Sequence, residues 1–515
     1  MHASGDKLLP DVLQEKVQEH PDKPCVVFED AQGQVSSLSY RQFAQRVNRL
    51  CNALVGAGVG AGQTVALMMS NCTEFLVAWM AINQAGAVMV PVNILYAADE
   101  LQYLLNNSDA VAFIGEERFV PIFLEVAAQC PQVRLRICAR TRNPVAGFRL
   151  LDDILAQESD ETRAVRVDPS APAQIIFTSG TTSRPKGAII SHRSSVMQGI
   201  AVSQAMGMRP DERSCVVLPL FHVNGQFVSV VPTLTVGGTI VLLETYSASR
   251  FWDQVRRHDS TFMSIVPMQL RTMLAQPAHP DDRNHRVRFS FYALLTTDEE
   301  WDAFEQRFGI KLIEGYGLSE TLGICTCNPL FGKVKRHCIG LPVLGREIRV
   351  ADDAGADRPA REVGRILVRG EPLFCGYYRN PQASAACMAD GWFDTGDNGY
   401  FDEEGYLYFF DRSKDVIKRA GENIAATEVE RVLNEHPKIA ESAVIAVPDP
   451  LRDEAVKAFV VLAPGQSLTV QEVQEWCALR LARFKVPSFV EFIDAMPKTS
   501  IGKIMKYVLK QGKPP

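Results

Sequence analysis

The stretch Thr178-Ser179-Gly180-Thr181-Thr182-Ser183-Arg184-Pro185-Lys186-Gly187 decides how this chain is read. It follows a short apolar run, Gln174-Ile175-Ile176-Phe177, that reads as a buried strand. Glycines let a backbone approach a ligand closely, and clustered hydroxyls with a lysine suit phosphate oxygens. The obvious competitor is the Walker A loop, G-x-x-x-x-G-K-[ST]. Counted from Gly180, the second glycine position holds Pro185, so that match fails. A phosphate-binding loop of another kind remains, with a polar surface loop as the alternative.

Outward from this loop, helix and strand patterns alternate. Upstream, strands are expected over 25–28, 64–69, 87–90 and 111–114, with helices over 11–19, 74–84 and 99–106. Ser39 can cap a helix whose apolar positions Phe43, Val47, Leu50 and Leu54 follow the 3.6-residue period. Downstream, strands over 215–218, 239–243, 261–265, 288–294 and 311–313 alternate with helices. Short β-branched runs separated by helices indicate parallel sheet covered on both faces. From residue 339 to 410 the chain is rich in Gly, Pro and short β runs, the pattern of an antiparallel, partly barrel-like region. A smaller α+β unit of about 100 residues follows Asp411, a usual size for a separate domain. The expected fold is α/β. A large N-terminal domain over 1–411 holds two βα subdomains plus a β-rich subdomain, and a small mobile α+β C-terminal domain covers 412–515.

Composition excludes several classes. The chain has 515 residues, 46% hydrophobic and 22% charged, the balance of a soluble globular protein with two or three domains. Its formal net charge of −6 gives no electrostatic footprint for nucleic acid. The most apolar stretch, residues 75–92, is interrupted by Asn83 and Gln84 and reads as a buried helix and strand, not as a membrane span. Twelve cysteines without framework spacing read as reduced residues of a cytoplasmic protein.

Five further segments carry chemistry. Gly315-Tyr316-Gly317-Leu318-Ser319-Glu320-Thr321 follows the strand expected at 311–313, and ligands bind at the carboxyl ends of parallel strands. A carboxylate such as Glu320 can hold Mg²⁺ against phosphate charge. Trp392-Phe393-Asp394-Thr395-Gly396-Asp397 and Asp411-Arg412-Ser413-Lys414-Asp415 come next. The last are Ile417-Lys418-Arg419-Ala420-Gly421-Glu422-Asn423-Ile424 and Pro497-Lys498-Thr499-Ser500-Ile501-Gly502-Lys503. Taken singly, each is an ordinary turn or a solvated tail.

Together, and in this order, the six segments resemble the adenylate-forming superfamily of acyl-CoA synthetases, nonribosomal-peptide adenylation domains and luciferases. The resemblance spans roughly residues 38 to 503. It implies an AMP-forming ligase that uses ATP, Mg²⁺ and coenzyme A to activate a small carboxylic acid. Thr178, Ser179, Gly180, Thr181, Thr182 and Lys186 would cradle phosphates. Gly315, Tyr316 and Gly317 would lie at adenine, Ser319 and Thr321 would donate to the α-phosphate, and Glu320 would hold the metal. Asp397 and Arg412 would bind the ribose, and Lys414 would be the hinge between domains. Lys418 and Gly421 would lie in the segment that swings in for thioester formation, and Lys503 would be the adenylation lysine. His222 matches a position near the substrate carboxylate.

The family's Gly-Gly-Ala-type turn is replaced here by Phe291-Tyr292-Ala293-Leu294-Leu295-Thr296-Thr297. That change, the Thr-Thr-Ser-Arg-Pro-Lys loop and the stretch 246–252 resemble the branch that activates carnitine and crotonobetaine. A compact acid is the expectation, with Asn224 and Gln226 as a polar pocket wall and Tyr292 facing a quaternary ammonium. Transfer to a carrier protein, luciferase-like oxidation and a non-catalytic nucleotide-binding homologue stay open alternatives. The sequence does not give the oligomeric state.

Overall fold

The structure is a computed structural model that describes residues 5–162, 165–178, 185–293, 296–412, 415–419, 422–449, 453–481, 483–498 and 502–511. Helix Tyr40–Gly56 shows how sequence sets local structure. Ser39 caps it through the N–H of Gln42, whose side chain returns to the Ser39 N–H. Phe43, Val47, Leu50 and Leu54 are all buried, each contributing about 1.5–3 kcal/mol on a transfer scale. Helix Thr73–Gln84 is buried on every side. The amide nitrogens at its polar end are held internally, Asn83 donating to the Ala173 carbonyl and Gln84 to Asn48, each at 2.8 Å. Among the described residues no helix is long and apolar enough to cross a membrane.

Two large sheets form the N-terminal domain. One has nine strands and runs from Leu341–Pro342 through Gly323–Cys327, Lys311–Leu318, Phe289–Tyr292, Phe262–Ile265, Arg213–Val216 and Thr239–Leu243 to Pro24–Glu29 and Val35–Ser39. The other has seven, from Arg149–Leu150 to Pro172–Thr178 and Lys186–Ser191. Their central strands are parallel; both edges of the nine-stranded sheet are antiparallel, and the seven-stranded sheet has one antiparallel edge at Lys186–Ser191 and one parallel edge at Arg149–Leu150.

Three features differ from the sequence expectation. The N-terminal strand Pro24–Glu29 does not build the first βα unit. It pairs in parallel with Thr239–Leu243 in the other sheet, where Tyr40 donates to the Gly238 carbonyl at 2.6 Å. A strand not read from the sequence, Lys186–Ser191, pairs antiparallel with Pro172–Thr178. The third strand of the motif region runs on from Lys311 to Leu318, carrying the Gly-Tyr-Gly segment inside it.

The two sheets meet beyond their strand ends. Asn71 donates to the carbonyls of Leu218 and Leu243, both at 3.2 Å, and accepts the Leu220 N–H at 2.9 Å. Arg140 reaches Glu244 at 2.7 Å. A five-stranded antiparallel sheet follows, built on Arg346–Ala351, Gly364–Gly370 and Trp392–Phe401. The C-terminal unit has another five-stranded sheet, with helices Ala426–Asn434 and Val470–Ala478. Strand Leu407–Arg412 runs across the expected 411/412 division. The Asp411 carboxylate accepts the Ala426 N–H at 2.5 Å, capping the first helix of the smaller unit. All twelve cysteines are free, and only Cys375 and Cys387 are not buried.

Candidate active site

Gly315 and Gly317 are there for strand approach. A Cβ at 317 would lie 1.4 Å from the Gly323 carbonyl, and one at 315 would lie 2.7 Å from that of Thr326. Between them, Tyr316 donates to Asp397 Oδ2 at 2.5 Å. Burial first, and then the Asp397 charge, push the phenol far above its ordinary value, so Tyr316 stays the donor. Asp397 is itself buried and pairs in register with Arg412.

Lys186 opens its strand directly across from Thr178, whose hydroxyl donates to the Lys186 carbonyl at 3.4 Å. Its Nζ stands 5.1 Å from the centre of the Tyr377 ring. The Tyr377 hydroxyl donates to Glu320 Oε1 at 2.7 Å, and the Glu320 carbonyl accepts the Phe374 N–H at 2.9 Å. Tyr377 thus links the lysine of the first motif to the carboxylate of the second. Sequence reading missed it, since Gly376-Tyr377-Tyr378 carries neither charge nor nucleophile. Glu320 is half-buried and offers hard carboxylate oxygens held in one orientation, a donor that fits Mg²⁺.

Thr321 departs from its expected role. It is fully buried, and its hydroxyl accepts the Leu318 N–H at 2.8 Å and bonds the Gly323 carbonyl at 2.9 Å. It therefore shapes its own turn, leaving partly exposed Ser319 as the hydroxyl open to an α-phosphate. Glu314, just before the motif, is buried. Burial pushes its carboxyl up to about 8, against the opposing hydrogen bonds from the backbones of His337 and Cys338.

His222 ends the tight Pro219–His222 turn and enters a π-helix over Asn224–Val230, an irregularity frequent at functional sites. Its Nε2 is buried without a partner, and burial lowers the imidazole to about 4, so it is neutral near pH 7. Gly323 faces this segment, where an added Cβ would meet Val228 at 3.2 Å and the Val223 carbonyl at 3.8 Å. Asn224 accepts the Ser264 hydroxyl at 2.8 Å and is partly exposed. Gln226 is not a pocket wall. It is fully buried, accepting from Gln174 at 2.8 Å and donating to the Leu220 carbonyl at 2.6 Å. Nor does Tyr292 face a ligand, since it is fully buried with its ring edge-on to Trp301 at 6.2 Å.

Lys503 is half-buried in the C-terminal unit, where Lys498 and Ile504 form an antiparallel bridge and Met505 N–H reaches the Pro497 carbonyl at 2.8 Å. Ser179, Gly180, Thr181, Thr182, Leu294, Leu295, Lys414 and Gly421 lie outside the described residues, as do the side chains of Arg412 and Lys418.

With this geometry in place, comparisons with known proteins are decisive for the class. The AMP-binding enzyme family matches residues 13–378, and the AMP-binding enzyme C-terminal domain matches 428–503. The chain is 38% identical over 500 residues to a crotonobetaine/carnitine–CoA ligase of Salmonella choleraesuis (strain SC-B67), covering 95% of this chain and 96% of the relative. An anthranilate CoA ligase solved with anthranoyl-AMP superposes with a TM-score of 0.90 at 26% identity, covering 98% of this chain and 97% of that one. ATP-bound MatB from Rhodopseudomonas palustris gives 0.89 at 28%, covering 98% and 99%. The chain belongs to the AMP-binding enzyme family. It is an AMP-forming acid–thiol ligase.

Proposed function

We propose that this ligase converts a compact carboxylic acid, of carnitine or crotonobetaine size, into its coenzyme A thioester through an acyl-adenylate. The observation that carries the substrate is the full-length likeness to crotonobetaine/carnitine–CoA ligases. Partly exposed Asn224, oriented by Ser264, supports a pocket with a polar group in its wall.

The substrate carboxylate attacks the α-phosphorus, and pyrophosphate leaves. Positioning and charge neutralisation dominate such transfers. Lys186 and Thr178, with Ser179, Gly180, Thr181 and Thr182, hold the phosphates, and Ser319 donates to the α-phosphate. Glu320, oriented by Tyr377, holds Mg²⁺, which neutralises phosphate charge when bound. Asp397 and Arg412 take the ribose hydroxyls, and Tyr316 lies against adenine. His222 stands beside the acid as a neutral imidazole and adds no competing charge. Lys503 supplies positive charge to the first transition state only. The C-terminal unit, residues 412–515, then turns about Lys414. The segment of Lys418 and Gly421 replaces Lys503, and the thiolate attacks the acyl carbonyl, releasing AMP.

The test is a set of specificity constants for thioester formation with carnitine, crotonobetaine and a fatty-acid chain-length series. The compact acids are expected to lead. A preference for acids of about twelve or more carbons contradicts the substrate assignment.

A further inference from the structure

Between strands Lys311–Leu318 and Gly323–Cys327 the chain turns through two consecutive left-handed residues, Leu322 at φ +54° and Gly323 at φ +89°. Glycine adopts this conformation freely, but leucine is strained there. Such a turn persists only when its surroundings hold it. Here the holding groups are specific. The carbonyl before the pair, of Thr321, accepts Arg346 Nη2 at 2.6 Å. The carbonyl after it, of Ile324, accepts Gln198 Nε2 at 3.0 Å. Arg346 Nη2 also donates to Gln198 Oε1 at 3.2 Å, so the two clamps form one unit.

The clamped turn separates the two halves of the site. Ser319 and Glu320 precede it on the nucleotide side. Gly323 closes it and lies against Val223 and Val228, in the segment after His222. Arg346 is 6% exposed, and among the described residues its buried Nε and Nη1 have no hydrogen-bond partner. Among the described residues the ionisable group acting on it is the Cys325 thiol, itself pushed up to about 11 by burial and so neutral near pH 7, and no carboxylate pairs with it. Burial accordingly pulls the arginine down to about 10, still charged at neutral pH. A buried cation without a counter-charge is expensive, and an apolar side chain of similar volume would fill the same space with less penalty. What the guanidinium adds is a directional, charge-assisted bond to one carbonyl of the strained turn.

We propose that Arg346, acting with Gln198, is a positioning residue that couples the nucleotide and acid subsites by fixing the Leu322–Gly323 turn between them. The coupling rests on the adenylating function proposed above. Loading either subsite then finds the other already in place, and the affinity for AMP rises when the acid is bound. By linkage the acid gains the same factor from the nucleotide.

The full-length wild type, Arg346→Lys, Arg346→Met and Gln198→Leu are compared by calorimetric binding of AMP, alone and with the preferred acid at saturation. The ratio of the two dissociation constants is the coupling factor. The wild type is expected to give at least about fivefold, the usual lower bound for coupled sites. Arg346→Met falls to near one, Arg346→Lys keeps most of the factor because it still donates to the Thr321 carbonyl, and Gln198→Leu lies between. An arginine with only a structural role lowers the thermal midpoint of Arg346→Met and leaves the factor at its wild-type value. That result, or a wild-type factor of one, overturns the proposal. If Arg346→Met does not fold, Gln198→Leu decides: a reduced factor supports the coupling and an unchanged one overturns it. If the wild type activates no acid in ATP–pyrophosphate exchange, the functional reading falls separately. The clamp must still show as weakened ATP binding in Arg346→Met and Gln198→Leu, or it falls too.

Discussion

The hydroxyl of Tyr316 meets Asp397 Oδ2 at 2.5 Å, across 81 residues of sequence. The contact ties the strand that would lie at adenine to the carboxylate that would hold the ribose. A hydrogen bond to a charged group contributes about 1.5–3 kcal/mol. Tyr316→Phe is therefore expected to raise the KM for ATP roughly tenfold, with a smaller effect on kcat. ATP titrations at saturating acid check this, and an unchanged KM would separate the two motifs functionally.

The Tyr377–Glu320 bond sets a second expectation. Without its donor, the carboxylate loses its fixed orientation. Tyr377→Phe should shift the Mg²⁺ dependence of adenylation to higher concentration, by about tenfold or more on the scale of one such bond. The ATP KM at saturating Mg²⁺ should change less. Mg²⁺ titration of pyrophosphate release measures both.

Glu314 gives a pH dependence of stability. Its carboxyl is raised from the ordinary 4.5 to about 8 by burial, so the fold favours its protonated form. That contribution is fully present below about pH 4.5 and is lost as pH rises through about 8. The slope between those limits is at most about 1.4 kcal/mol per pH unit. Glu314→Gln cannot ionise and keeps an acceptor oxygen. Urea unfolding should show its stability relative to wild type improving from pH 5 to pH 8. A constant difference between the two proteins across that range would show that Glu314 does not titrate as its burial requires.

Much of this was legible in the sequence, and the exceptions have physical reasons. The parallel strands were readable because they are buried on both faces and short, and the strand at 239–243 appears with those bounds. The helix after Ser39 was readable because its cap and apolar period agree. Sheet membership was not readable. Local pattern does not say that residues 24–29 cross to pair with Thr239–Leu243, a contact made by long-range packing. The glycines of Gly-Tyr-Gly looked like a turn, yet close approach of the strand Gly323–Cys327 demands them just as firmly. Among site residues, motif order exposed Glu320 and Asp397. Thr321 looked equally available, because burial of one hydroxyl within its own turn leaves no mark in sequence. Tyr377 and Arg346 act through other residues, and no residue-type pattern announces that.

The division of labour between the two half-reactions gives a further expectation. Removing a transition-state donor costs about 2.7–4 kcal/mol. Lys503→Ala should lose that much in adenylation and spare thioester formation from pre-made acyl-adenylate. Lys414→Pro, with φ fixed near about −65°, should arrest the hinge and harm the thioester step more. Equal losses in both steps for Lys503→Ala would end the assignment of separate conformations.

The most direct test of the central claim is acid-dependent exchange of labelled pyrophosphate into ATP, run without coenzyme A and with crotonobetaine or carnitine as the acid. The account predicts exchange that requires the acid and Mg²⁺, collapses in Lys503→Ala, and gives way to stoichiometric AMP and thioester once coenzyme A is added. Exchange with long-chain acids but not with these two would contradict the substrate. No exchange with any acid, while ATP still binds, would contradict adenylation by this site.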